Sequence, residues 1–176
     1  MTEDEFWGLI AKHITDDGGE ICVDELVEVL SKKSVEEVID FDKWLTHCRA
    51  NAYSWRLWGA AYTINGGCSD DGFDYFRGWL IAKGRKVYES ALQDPDSLVS
   101  HTVEGGIHEC EDLLYVPQSV YEMLMGDNAQ LPYPGVVVPE LGEKWDFDDD
   151  DEMRRRYPKL FAKHVGDVDA ERDETE

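Results

Sequence analysis

The sequence predicts an all-α fold: an irregular single-domain helical bundle of about six to eight helices with an extended C-terminal segment. Three observations carry this reading. Apolar residues recur three and four apart along most of the chain, the period of a helix that buries one face. Helix starts and stops are marked by capping residues and glycines. Only Val136-Val137-Val138 reads as a β-type run, and a single run makes no sheet. The chain of 176 residues, 42% hydrophobic with six Trp, six Phe and eight Tyr, is long enough to bury a core and too apolar to be wholly disordered.

Phe6, Leu9, Ile10 and Ile14 make residues 3–14 a first amphipathic helix, which Asp16-Asp17-Gly18-Gly19 breaks. Val23, Leu26, Val27 and Leu30 follow the helical template and give a second. Ser34, with Glu37 three positions on, is a capping box opening a third helix carried by Val35, Val38, Ile39, Leu45 and Cys48. Residues 53–64 form a fourth, apolar nearly all round and therefore buried, which Asn65-Gly66-Gly67 stops. Ser69 or Asp70 caps a fifth, running through Phe73, Phe76, Trp79, Leu80 and Ile81 to near Gly84; its aromatic density places it at the centre of the core. Val87, Tyr88, Ala91 and Leu92 give a short sixth, halted by Asp94-Pro95. Residues 109–125 are helical again, with Pro117 either kinking one helix or starting a second.

From Gly126 the character changes. Pro132, Pro134, Pro139 and several glycines make an extended connector that wraps the surface. Residues 148–157 then run from acids to Arg154-Arg155-Arg156, a charge order that complements a helix dipole, and Leu160-Phe161 dock a last short turn. The expected division is a helical core over 1–125, a Pro/Gly-rich connector with short C-terminal helices over 126–164, and a disordered acidic tail over 165–176.

The net charge of −22 resides mostly in the folded part: residues 1–142 hold 26 acidic against 10 basic side chains, residues 143–176 hold 13 against seven. Such a surface disfavours functions that rest on gripping nucleic-acid phosphates or anionic membranes. It serves solubility on one reading, and a complementary basic partner, steered electrostatically, on the other. No stretch has the ~18 consecutive apolar residues of a spanning helix, and Met1-Thr2-Glu3-Asp4-Glu5 lacks the basic flank of a signal peptide. A cytoplasmic protein is expected, with Cys22, Cys48, Cys68 and Cys110 as reduced thiols and no C-x-x-C pair for zinc or redox work.

The densest chemistry lies between the fourth and fifth helices, where Cys68, Ser69, Asp70, Asp71, Asp74, Tyr75, Arg77 and Trp79 follow a glycine turn. Asp70, Asp71 and Asp74 have the oxygen ligands that hold a hard cation. On the plainer reading, Asp70 and Asp71 favour the helix start while Asp74 pairs with Arg77, three residues on. With an exposed pair, losing Asp70 would then cost more stability than losing Asp74. Cys68 precedes a helix start, yet adjacent carboxylates disfavour its thiolate and no histidine spacing supplies a base. In His108-Glu109-Cys110-Glu111-Asp112 only His108 and Asp112 share a helical face, a weak metal site. Trp44, Tyr53, Trp55, Trp58, Tyr62, Phe73, Tyr75, Phe76 and Trp79 are mostly core material, but too many for one centre, so some line a groove or partner surface. The acidic run from Asp146 to Glu152 is a solvated stretch, or a mimic of nucleic-acid charge that occupies a basic protein's groove.

The stretch from Trp58-Gly59-Ala60-Ala61-Tyr62 through Gly66-Gly67-Cys68-Ser69-Asp70-Asp71-Gly72-Phe73-Asp74-Tyr75-Phe76-Arg77-Gly78-Trp79-Leu80 resembles the signature of the bacterial family domain of unknown function 4240. Glu5-Phe6-Trp7, Asp94-Pro95-Asp96-Ser97-Leu98, Glu109-Cys110-Glu111-Asp112-Leu113-Leu114-Tyr115, and Trp145 followed by Arg155-Arg156-Tyr157-Pro158 fit it too, so that the resemblance spans most of residues 3–161. It implies one helical unit with a C-terminal extension, and brings no reaction, cofactor or substrate. Relatives that accompany a tryptophan-glycine-arginine type domain point toward interaction or regulation. The expected function is a non-catalytic acidic interaction or regulatory module, possessing no cofactor or metal and acting on a basic protein rather than on nucleic acid or membrane. The alternative is a small metal-dependent enzyme built on the Gly-Gly-Cys-Ser-Asp-Asp-Gly motif.

Overall fold

The computed structural model describes residues 1–17 and 20–166. Within them lie helices α1 (Glu3–His13), α2 (Asp24–Leu30), α3 (Val35–Asn51), α4 (Trp55–Asn65), α5 (Asp70–Ala82), α6 (Arg85–Gln93), α7 (Glu111–Met125), α8 (Asp150–Arg156) and α9 (Pro158–His164), with a 3-10 turn over Pro95–Ser100. The all-α class holds. The described helices outnumber the six to eight expected, because Tyr157-Pro158 ends α8 and opens α9 with a proline at its first position. None is long and apolar enough to cross a membrane.

Local signals act where the sequence places them. Ser34 and Glu37 form the capping box of α3, and Thr2 with Glu5 forms a second at α1. Gly66 closes α4 in the left-handed region at φ 67°, a conformation a side chain disfavours. Pro117 stays inside one continuous α7.

One local expectation is corrected. Thr15–Asp17 and Glu20–Cys22 pair as a short antiparallel hairpin where only a break was read; three-residue strands are too short to show a period. Gly18, Gly19 and the tail residues 167–176 lie outside the described residues. Val136-Val137-Val138 lies in the connector with Val137 exposed and pairs with no strand among the described residues, in keeping with a single run making no sheet.

The core sits between α3, α5 and α7, filled by Phe41, Leu45, Phe73, Phe76, Trp79, Leu113 and Val116. Helices α5 and α7 approach closely because Gly78 faces the Cys110 carbonyl, where a Cβ would stand 2.3 Å away. The Cys110 amide meanwhile donates to the Tyr75 carbonyl at 2.9 Å. The C-terminal helices are anchored by Asp96, buried in the 3-10 turn. Its carboxylate accepts from the Lys159 amide (3.0 and 3.2 Å) and the Leu160 amide (2.9 Å), capping α9 from 63 residues away.

Candidate functional site

The predicted cluster is brought together, but as a structural clamp. Ser69, not Asp70, caps α5: its hydroxyl accepts from the Gly72 amide at 3.0 Å. Asp70 and Asp71 occupy the first turn and are exposed. Asp74 is gripped from two helices. Arg49 of α3 donates through Nη2 to both carboxylate oxygens (2.9 and 2.7 Å) and through Nε at 3.3 Å, while Arg77 Nη2 reaches Oδ1 at 2.9 Å. Arg77 also donates to the Arg49 carbonyl at 2.8 Å and lies over the rings of Tyr53 (4.6 Å) and Phe73 (5.1 Å). Burial draws the Arg77 guanidinium below its ordinary pKa, with Asp74 opposing.

The other members have equally plain roles. Burial, aided by Glu109, pushes the Cys68 thiol up to about 12, which leaves no thiolate nucleophile at neutral pH. A hydrogen bond to Glu111 pushes Tyr75 up to about 12. Trp79 is buried and meets His108 edge-on at 5.1 Å. His108 has both ring nitrogens engaged: Nε2 accepts from the Val103 amide (3.0 Å), and Nδ1 lies 3.2 Å from Asn65 Oδ1. Burial, then His164 and Lys83, pushes its pKa down to about 4. Among the described residues no three His, Cys, Asp or Glu side chains converge as a metal site would require.

The aromatic surplus leads elsewhere. From Arg77 a column of rings runs through the molecule: Phe73 stacks on Trp58 (4.7 Å, 14°) and Trp58 on Trp55 (5.2 Å, 13°). The Trp58 indole N–H donates to the Cys68 carbonyl at 3.0 Å, which ties the column to the glycine turn. Trp55 then emerges in an open groove of about 580 Å³, walled by Tyr62, Lys144, Trp145, Asp146, Phe147 and Asp148. Phe147 meets the rings of Trp55, Tyr62 and Trp145 at 6.0, 5.4 and 5.4 Å.

The groove exists because the connector folds back on α4. The Trp55 amide donates to the Leu141 carbonyl at 2.9 Å. Gly59 leaves room for Tyr157 and Trp145, atoms of which would lie 2.7 and 2.8 Å from a Cβ there. The Tyr157 hydroxyl donates to the Arg56 carbonyl, and Arg156 lies 3.9 Å over the Trp145 ring while pairing with Glu152 and Glu143. At the rim Tyr62 donates to Asp148 at 2.5 Å, a bond that raises the phenol's pKa, and the Asp148 amide donates to Asp146. Asp146 and Asp148 are exposed. The Lys144 ammonium lies 4.9 Å from the Trp55 ring centre. A second crevice, about 470 Å³, lies between Trp44, His47, Pro134 and Val136. The sequence singled out Trp55, Tyr62 and the acidic run from Asp146 separately; Lys144 and Trp145 as walls of one site were missed.

The profile of the family described as "Protein of unknown function (DUF4240)" matches residues 1–123. The match takes in α1 to α6 and most of α7, together with Trp55, Tyr62 and the clamp, while Lys144 to Asp148 lie beyond it. No curated protein and no solved structure matches the chain.

Proposed function

The chain belongs to the DUF4240 family, and we propose that it serves as a non-catalytic acidic protein-interaction or regulatory module whose partner is a basic protein. One observation carries this: an open groove floored by Trp55, Tyr62, Trp145 and Phe147, with the exposed carboxylates of Asp146 and Asp148 at its rim, on a chain of net charge −22. Aromatic rings supply contact area at low entropic cost, and carboxylates steer and orient a cationic partner. The fit is to the side chains of a basic protein, which makes the module an antagonist or regulator of such a protein. A cytoplasmic place of action goes with this reading, as the four cysteines are free thiols.

The metal-dependent alternative draws no support from the same geometry. It needs Asp70, Asp71 and Asp74 to converge, and both oxygens of Asp74 are turned to Arg49 and Arg77.

Fluorescence anisotropy with labelled oligolysine and oligoglutamate tests the proposal. Oligolysine should bind, and weaken steadily as salt rises through the range where the Debye length falls below ~10 Å. Absence of binding, or binding indifferent to salt and to the sign of the peptide, would refute it.

A further inference from the structure

Building on the interaction reading above, we infer that the groove takes the primary ammonium of a lysine side chain, and that Lys144 is its resident occupant, displaced when a partner's lysine enters. Among the described residues five cations lie over aromatic rings. Arg77 is also paired with Asp74, Lys83 with Asp16, Arg154 with Asp151, and Arg156 with Glu152 and Glu143. Lys144 differs: among the described residues its ammonium makes no ion pair, and its ring contact is to Trp55 alone.

That choice is informative. Lys144 shares the groove with the carboxylates of Asp146 and Asp148, towards which a flexible four-carbon stem could also turn. It settles on the ring instead. The groove face of Trp55, in the field of those carboxylates, is therefore a preferred seat for an ammonium. Arg77, Lys83 and Arg156 are held by hydrogen-bonded carboxylates and cannot leave without unpairing a charge. Lys144 is an exposed side chain on the connector, held by a single weak contact, and it can be exchanged. A lysine from a basic segment would enter the same seat, while neighbouring lysines meet the exposed rim carboxylates of Asp146 and Asp148. An internal occupant lowers the apparent affinity by the fraction of time it fills the seat.

The test uses the full chain, with anisotropy of labelled oligolysine and of the same peptide acetylated at every Nε. Lys144→Ala should bind oligolysine about two- to fivefold more tightly than the parent, the range expected for an exposed cation–ring contact. Lys86→Ala, which removes the same charge from an exposed position on α6, sets the baseline for charge alone. The acetylated peptide should not bind. Trp55→Leu should weaken oligolysine binding and abolish the advantage of Lys144→Ala, with its melting curve and that of Asp146→Asn serving to separate misfolding from loss of the seat. Equal gains from Lys144→Ala and Lys86→Ala would overturn the inference, as would retained binding of the acetylated peptide. Oligolysine binding unchanged by Trp55→Leu would overturn the seat while leaving the acidic module standing. Failure of every variant to bind oligolysine would overturn both.

Discussion

Removing the carboxylate of Asp74 should destabilise the fold more than removing either acidic or capping residue just before it. Asp74 joins α3 to α5 through four hydrogen bonds from Arg49 and Arg77, and the Arg77 side chain is only 11% exposed. In Asp74→Ala two guanidiniums face each other with no anion between them, and Arg77 is held in place by the Arg49 carbonyl. Exposed pairs contribute ~0.3–0.5 kcal/mol and breaking a buried one costs ~3–5 kcal/mol, so this half-buried clamp falls at about 2 kcal/mol. For a chain of this size that lowers Tm by roughly 4–8 °C. Ser69→Ala removes the actual cap, about 1 kcal/mol and roughly 2–4 °C. Asp70→Ala loses a favourable first-turn charge, about 0.5 kcal/mol and roughly 1–2 °C. The order is the reverse of that expected from sequence, which rested on Asp70 as the cap and on an exposed pair. Circular-dichroism melting of the three variants reads it directly, and an Arg49→Leu/Asp74→Ala cycle isolates the coupling between helices. A Tm loss in Asp70→Ala equal to or above that in Asp74→Ala would refute the clamp.

Three further outcomes follow from the packing. Asp96→Ala leaves the Lys159 and Leu160 amides without their cap and should release α9, seen as early hydrogen exchange at those amides with a Tm loss, whereas equal protection in the variant would contradict it. Gly78→Ala drives a Cβ to within 2.3 Å of the Cys110 carbonyl and should cost about 1–3 kcal/mol in urea unfolding; a neutral result would show that α5 and α7 can part freely. His108, pushed down to about 4 by burial, is neutral in the fold and binds a proton more readily unfolded, where its pKa is about 6.5. Its contribution is complete above pH 6.5 and is lost as pH falls toward 4, a slope of up to about 1.4 kcal/mol per pH unit. His164, also lowered by burial, adds in the same direction. Urea midpoints at pH 7 and pH 5 should therefore separate less in His108→Gln than in the parent, and identical separations would refute the assignment.

What could be read from the sequence was local. The capping box at Ser34, the glycine stop at Gly66 and the Asp74–Arg77 pair each span four residues or fewer, and each stands in the structure. Arg49 lies 25 residues from Asp74, and Asp96 caps amides 63 and 64 residues away. No periodicity brings such groups together; the packing of α3 on α5 and of the 3-10 turn on α9 does so. The groove illustrates the same limit. An aromatic surplus and an acidic run were both visible, but Gly59 makes the join by admitting Trp145 and Tyr157 against α4, and a glycine inside a helix does not announce which side chains it admits. Asp70 was misassigned because Ser69 and Asp70 are both good caps, and one residue of register decides between them.

The central claim is that a basic partner docks on the groove at Trp55, and the indole N–H resonances test it most directly. The chain has six Trp, so a ¹H–¹⁵N spectrum of the full chain, assigned by single substitutions, gives one such signal for each. On titration with oligolysine, the signals of Trp55 and Trp145 should move in a saturable, salt-sensitive manner. Those of Trp7 and Trp79, both buried, and of Trp44 at the second crevice should stay in place. Shifts centred on Trp44, or no shift at any indole while the peptide binds, would contradict the account.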